Sequence, residues 1–315
     1  MTVLVTGANG FIGTALCSSL VKHGTTTRSA ARSWPIGRRN AGTINVRDIS
    51  VDTDWSAALA NVNMVVHLAA RVHVMRETSL APLTEFRRLN VEGTANLARQ
   101  AAAAGVRRFV YLSSIKVNGE FTDAGVPFNA EDLPAPKDPY GVSKLEAENE
   151  LRQISSQTGM EVVIIRPPLV YGPGVKANFG LMMHWVARGV PLPLAGIIDN
   201  RRSLVAIDNL VDLIETCLTH PAAANQTFLV SDDDDLSTTE LLKRIGKVLG
   251  RPARLFQFPS NLLKLGAQAM NKPGIYHRLC GSLQLDITKT CQLLDWSPPV
   301  SVDEGLRRTV EGFKV

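Results

Sequence analysis

The chain opens on Val3-Leu4-Val5-Thr6, runs at once into Gly7-Ala8-Asn9-Gly10-Phe11-Ile12-Gly13, and continues as a helical pattern from Thr14 to His23. Few local sequences limit a fold so sharply. A strand that turns on glycines into a helix presents the unpaired N–H groups of that helix at its end, where the macrodipole favours an anion. Gly7 permits the tight turn, Gly10 lets a phosphate approach the backbone, and Gly13 lets the helix lie close on the strand. With Asn9, Phe11 and Ile12 these residues make a cradle for the pyrophosphate of a dinucleotide.

The rest of the first half has the rhythm that such a cradle requires. Strand-like runs at Thr25–Ala30, Met64–Leu68, Arg108–Leu112 and Glu161–Ile165 alternate with helical patterns at Leu83–Ala104 and after Tyr140. Successive strands joined by helices imply a parallel sheet covered on both faces, a Rossmann-type doubly wound α/β fold. After Arg166 the texture changes, because Pro167-Pro168, Gly172-Pro173-Gly174 and Pro191-Leu192-Pro193 break the periodicity. The boundary is therefore set there: 1–166 as the dinucleotide-binding domain, and 167–315 as mainly a smaller C-terminal substrate-binding lobe, from which some segments return to the first domain. Within that second part a strand is expected at Gln226–Val230. Asp232–Asp235 reads as a solvated turn leading to a helix capped near Ser237.

Composition removes other classes of function. The net charge of +5 comes from scattered Lys and Arg, without the basic stripe and interleaved aromatics of a nucleic-acid groove, so the expected partner is a small phosphate-bearing molecule and not a nucleic acid. Cys17, Cys217, Cys280 and Cys291 form no C-x-x-C pair, so they read as packed, reduced thiols and no metal is expected. No charged and then apolar leader precedes the first motif, and the apolar stretch Leu204–Leu218 is interrupted by Asp208, Asp212 and Glu215. A cytoplasmic protein without membrane insertion is expected.

Chemistry enters with Pro139-Tyr140-Gly141-Val142-Ser143-Lys144, which puts a phenol and an ammonium on one helix face. A phenol of ordinary pKa near 10 is a poor acid or base at neutral pH, and a neighbouring cation, added to the positive nicotinamide of an oxidised cofactor, is expected to favour its phenolate. Ser113-Ser114 lies just past the run Phe109–Leu112, at the strand end where open α/β sheets bind ligands.

Taken in order, the glycine spacing, His67-Leu68-Ala69-Ala70, Asn90 in Leu89–Thr94, Ser114 and Tyr140-x-x-x-Lys144 resemble the extended short-chain dehydrogenases/reductases, the NAD-dependent epimerase/dehydratase family. The resemblance implies Tyr140 as acid and base, Lys144 as its tuner and Ser114 as donor to the reacting oxygen. It also implies that Asp48 and Ile49 hold the adenine, that Leu68, Ala69, Ala70 and Pro167 line the cofactor, and that Asn90 supports the active-site backbone. His67 reads equally as a cofactor neighbour or as a satisfied core imidazole. Two positions depart from the family pattern: Asn118 replaces a Tyr, and Lys116 stands where relatives carry Thr. Lys116 is accordingly expected to face the substrate as a second electrophile or proton donor. At the end of the second strand, where an NAD enzyme carries an acid, the sequence has Thr27-Arg28-Ser29-Ala30-Ala31-Arg32. Arg32 suits a 2′-phosphate, so NADP(H) is favoured and NAD(H) stays open.

On the substrate side, Arg166–Gly174 and Arg202-Ser203-Leu204-Val205-Ala206-Ile207-Asp208 resemble segments of sugar-nucleotide enzymes in this family. They imply that Arg202, helped by Arg201 and Arg278, holds a nucleotide diphosphate, that Asn178 and Phe179 line the uridine, and that Arg71 faces the sugar. The stretches Val66–Met75 and Ser113–Gly119 most resemble bacterial UDP-N-acetylquinovosamine-forming 4-ketoreductases of surface-polysaccharide synthesis. The expected reaction is NADPH-dependent reduction of a UDP-4-keto-6-deoxy-N-acetylhexosamine at C4. A UDP-hexose or UDP-N-acetylhexosamine 4-epimerase with retained NAD is the rival, and a non-enzymatic NADP-binding regulator the third reading. The family also implies a homodimer paired through helices near Glu92–Ala104 and Lys144–Ser155.

Overall fold

A computed structural model describes residues 1–34, 42–46, 48–72, 81–123, 125–269 and 273–313. Its centre is a seven-stranded sheet built from β1 (Thr2–Thr6), β2 (Thr26–Ala31), β3 (Thr43–Asn45), β4 (Met64–His67), β5 (Arg108–Leu112), β6 (Glu161–Arg166) and β9 (Thr227–Leu229). The order is β3-β2-β1-β4-β5-β6-β9 and every pairing is parallel. The direction of winding reverses between β1 and β4, the place where such sheets open a crevice at their carboxyl ends.

Side-chain alternation explains why these runs are apolar throughout. Val3 and Val5 of β1, Val110 of β5 and Val163 of β6 point to one face, where α1 (Phe11–Lys22) and α7 (Ile207–Thr219) cover them. Leu4, Phe109, Tyr111 and Val162 point to the other, under α4 (Gly93–Ala103) and α5 (Pro139–Thr158). A third core gathers Phe179 and Met183 of α6 (Ala177–Ala187), Leu241 and Ile245 of α8 (Thr238–Val248), and Leu306 of α12 (Val302–Glu311), around a two-stranded sheet of β7 (Leu169–Tyr171) and β8 (Leu204–Ala206). The shorter helices add to these layers: α11 (Thr288–Leu294) to the first face through Leu294, and α2 (Ser56–Leu59) to the second through Ala58 and Leu59. α9 (Ser260–Ala269) and α10 (Pro273–Cys280) pack on the third core through Leu263 and Leu279. Two pieces beyond residue 166 return to the first layer: β9 extends the sheet, and α7 lies on it beside α1.

Three features depart from the sequence reading. The helix expected over Leu83–Ala104 is α3 (Pro82–Phe86), a π-helical turn at Arg87–Glu92, and then α4. β3, β7 and β8, of three residues each, carry too short a pattern to be read from sequence. The acidic run is not a solvated turn at its start, because Asp232 is buried and accepts from the Tyr171 hydroxyl (2.7 Å), the Ala206 N–H (2.7 Å) and Asn209 Nδ2 (2.7 Å). The helix after it is capped as expected, with Ser237 and Glu240 forming a reciprocal capping box. No described helix is long and apolar enough to cross a membrane.

Candidate active site

At the switch point the glycine loop has the geometry its spacing implies. Gly7 sits at φ +66°, and a Cβ there would come within 2.9 Å of the Ala69 backbone N; on Gly13 it would lie 2.2 Å from the Gly7 carbonyl oxygen. Neither position accepts a side chain without moving backbone. Gly10 is the N-cap of α1 and has no capping side chain, so the first N–H groups of that helix face the crevice. Asn9 ties the loop to the end of β2 by donating to the Ser33 carbonyl oxygen at 2.6 Å. This cradle fits a dinucleotide pyrophosphate, with Leu68–Ala70 crossing beneath it.

Beyond β2, Arg88 holds the half-buried Asp48 carboxyl below its usual range against desolvation, the Ile49 N–H adds to it, and exposed Arg32 contributes last. Asp48 pairs with Arg88 at 2.8 Å, while buried Ile49 packs so tightly on Gly93 that a Cβ there would meet it at 2.7 Å. Asn90 lies in the π-helical turn, an irregularity frequent at functional sites. Its side chain clamps the Arg71 backbone through both amide atoms (2.8 and 3.0 Å) and donates to Ser143 Oγ at 3.0 Å, joining the β4 exit to α5. Arg71 itself stacks over the Phe86 ring at 5.5 Å. His73, Val74 and Met75, part of the stretch likened to ketoreductases, lie outside the described residues.

The catalytic candidates converge at the ends of β5 and α5. Asp138 caps α5, accepting from the Gly141 N–H at 2.7 Å, and Pro139 occupies the first turn, so the start of the helix and hence Tyr140 are fixed. Asp138 was not singled out from sequence, although an acid directly before a proline is a readable start signal. Ser114 ends the extended segment after β5, and its hydroxyl faces the Tyr140 phenol. Lys144, only 2% exposed, donates to the Leu112 carbonyl oxygen at 2.7 Å and to the Tyr111 hydroxyl at 3.2 Å, with its Nζ 6.0 Å from the centre of the Tyr140 ring.

In the protein alone Tyr140 is a neutral phenol. Burial pushes the Tyr140 phenol up, the Asp138 carboxylate adds to that, and Ser114 opposes it. Burial also depresses Lys144 to about 7, against the pull of Glu148. Desolvation outweighs the cation because the Lys144 ammonium is turned toward Leu112 and Tyr111. A cationic nicotinamide bound above would restore the balance toward phenolate.

His67 resolves in favour of the core. It is fully buried, held by Thr6 Oγ1 (2.6 Å) and Thr94 Oγ1 (3.0 Å), and desolvation lowers it to about 3, so it stays neutral. Lys116 lies beside the site, paired with Asp138 and, at 3.6 Å, with Glu120. A buried network that sequence reading missed supports Ser113: Glu148 accepts from Ser113 Oγ (2.6 Å) and from Arg166 Nε and Nη2 (2.9 and 2.6 Å), while Arg166 Nη1 donates to Asn118 Oδ1 at 2.9 Å. Asn118 thus belongs to the framework. Its exchange for the family's Tyr now has a structural partner.

Of the substrate residues, Arg202 and Arg278 come together. Arg202, half-buried, donates to the Gly281 carbonyl oxygen at 3.0 Å, and desolvation together with the positive charge of Arg278 lowers its pKa. Arg201 turns away, donating to the carbonyl oxygens of Ile198 (2.8 Å) and Asn200 (3.0 Å). Asn178 is exposed on the first turn of α6, but Phe179 is wholly buried and stacked on Tyr171 at 5.2 Å, so its ring supports that turn instead of lining a ligand.

A parallel sheet of this order with a glycine cradle at its switch point defines a dinucleotide-binding Rossmann protein. The chain belongs to the NAD dependent epimerase/dehydratase family, whose model matches residues 3–231. It is 47% identical over 313 residues, covering 99% of this chain and 95% of the other, to a UDP-glucose 4-epimerase of Vibrio cholerae. It is 30% identical over 333 residues to a UDP-glucose 4-epimerase of Mycolicibacterium smegmatis, covering 100% and 99%. Among solved structures it resembles a UDP-glucose 4-epimerase of Thermotoga maritima with UDP-glucose (TM-score 0.76, 23% identity, covering 99% and 98%). It also resembles RMD of Pseudomonas aeruginosa complexed with NADPH (TM-score 0.74, 23% identity, covering 99% and 98%).

Proposed function

We propose that this protein is a UDP-sugar 4-epimerase that works through a retained nicotinamide dinucleotide. The observation that carries the reading is the 47% identity, end to end, with the Vibrio cholerae UDP-glucose 4-epimerase, joined to the convergence of Ser114, Tyr140 and Lys144 at the crevice. This likeness supports epimerisation over the 4-ketoreduction expected from sequence.

The bound nicotinamide would accept and return a hydride at C4 of the sugar. Tyr140 takes the proton of the 4-hydroxyl as that hydride leaves, and gives it back when the hydride returns to the opposite face. Lys144 lowers the cost of the intermediate phenolate. Ser114 donates to the sugar oxygen, and Lys116 is proposed as a further donor from the same rim. Arg202 and Arg278 grip the diphosphate, with Asn178 near the uridine, so that residues 167–315 mainly supply the substrate side. Pro167, buried and accepting from the Ile115 N–H at 3.0 Å, is proposed to wall the nicotinamide.

One observation favours the reductive reading: Arg32, exposed beyond β2 where no acid stands, suits a 2′-phosphate and hence NADPH. The family resemblance takes α4 and α5 as dimer helices; they lie side by side, and Arg99–Glu150 (3.0 Å) bridges them. The test is incubation of purified protein with UDP-glucose and with UDP-N-acetylglucosamine, without added cofactor, following products by NMR. The C4 epimer is expected. Stoichiometric NADPH oxidation by UDP-4-keto-6-deoxy-N-acetylglucosamine, with no epimer formed, would replace epimerase by reductase. No reaction under either condition would leave a non-enzymatic binder.

A further inference from the structure

The reactive lysine stands on a residue that sequence motifs do not mark. Tyr111, fully buried on β5, accepts from Lys144 Nζ at 3.2 Å and also lays its ring under that ammonium, 4.4 Å from Nζ to the ring centre. Burial pushes its phenol well up, and the neighbouring Thr94 hydroxyl on α4 opposes that. Thr94 Oγ1 meets His67 Nε2 at 3.0 Å, and His67 Nδ1 meets Thr6 Oγ1 at 2.6 Å. Thr6 is the residue before Gly7 and accepts from the Ala69 N–H at 3.4 Å. Every side chain of this line is buried, and it crosses beneath the sheet end from the foot of the cofactor cradle to the ammonium.

We propose that Tyr111 is a positioning residue for Lys144, its hydroxyl and ring face holding the ammonium below Tyr140 while Thr94, His67 and Thr6 hold Tyr111. An ammonium has three protons, and the Leu112 carbonyl and the Tyr111 hydroxyl take two of them. The third is left for the ligand crevice. The aromatic face adds a second stabilisation of the cation in a site that hydration does not reach. The ionisable groups around Lys144 are Tyr140 and Glu148 on its own helix, Tyr111 on β5 and His67 on β4. His67 is neutral, and Glu148 is committed to Arg166 and Ser113, which leaves Tyr111 as the neighbour that touches the ammonium.

This inference rests on the proposed role of Lys144, and the experiment separates the two. Lysine in the full chain is labelled with 13C at Cε, and the Lys144 signal, identified by its loss in Lys144→Met, is titrated by NMR. In Tyr111→Phe, which keeps the ring but removes the acceptor, the Lys144 midpoint should fall by about one pH unit. Thr94→Val, which cuts Tyr111 from His67, should move it the same way by less, and carries the test if Tyr111→Phe folds poorly. Midpoints equal to the parent protein in both variants would overturn the inference. If turnover is followed in parallel, its alkaline limb should shift down with the midpoint. A midpoint that falls while the limb stays fixed supports the role of Tyr111 and removes Lys144 from the reaction.

Discussion

Replacing Glu148 by Gln tests the framework on which the site is built. Glu148 is 0% and Arg166 2% exposed at the side chain, and the carboxylate receives four hydrogen bonds: Ser113 at 2.6 Å, Arg166 at 2.9 and 2.6 Å, and Arg152 at 3.1 Å. Glutamine keeps the volume but removes the charge and turns an NH2 group toward one of these donors. Arg166 is then a buried cation without its counter-ion, a situation that costs about 3–5 kcal/mol. For a chain of 315 residues that corresponds to a fall of roughly 5–8 °C in melting temperature. Thermal unfolding followed by circular dichroism measures it. Removing both charges, with Glu148→Gln and Arg166→Met together, should cost less than the sum of the single changes, because no charge is left stranded. A single-variant loss below about 1 kcal/mol would refute the reasoning. It would mean that water enters through the adjoining polar cleft, about 420 Å3 and lined by Arg152, Arg166 and Lys289, and solvates the guanidinium.

Three further outcomes are expected from the same geometry. Gly13→Ala puts a methyl 2.2 Å from the Gly7 carbonyl oxygen, so the loop must move; overpacking of about 1–3 kcal/mol and at least a tenfold weaker affinity for NAD or NADP by calorimetry are expected, and unchanged affinity would contradict the cradle. Tyr140→Phe should lower turnover by about 100-fold or more while sugar-nucleotide affinity, measured separately, stays within a few-fold, since the phenol moves a proton and does not grip the ligand. Lys144 has a folded pKa of about 7, below its ordinary value, so the unfolded chain binds more protons between the two and stability rises with pH across that window. Lys144→Met removes this penalty: it should raise the melting temperature at pH 7, and the gain should shrink toward pH 10. A gain independent of pH would show that the ammonium is hydrated.

How much of this was legible in the sequence depended on whether a residue's role is local. The glycine loop, the Tyr140–Lys144 spacing and the Ser237 cap are fixed by neighbours in the chain, and all three took the geometry their spacing implied. β7 and β8 were not visible, because three residues give no periodicity and the two pair across 30-odd intervening positions. Asp232 looked like surface because acids in a run usually are. Its burial depends on Tyr171, Ala206 and Asn209, which reach it from 61, 26 and 23 residues away.

The site shows the same division more sharply. The motif singled out Tyr140 and Lys144 and set a cation next to a phenol, whereas folding gave the ammonium other acceptors and desolvated both. Those acceptors belong to β5 and are apolar or aromatic in character, so a search for polar motifs passes over Tyr111 as core. Burial holds Lys144 near its titration point and keeps Tyr140 a neutral phenol in the cofactor-free protein. On the proposed mechanism a bound cationic nicotinamide would supply the charge that favours phenolate, so the cofactor-free protein carries no standing base at Tyr140.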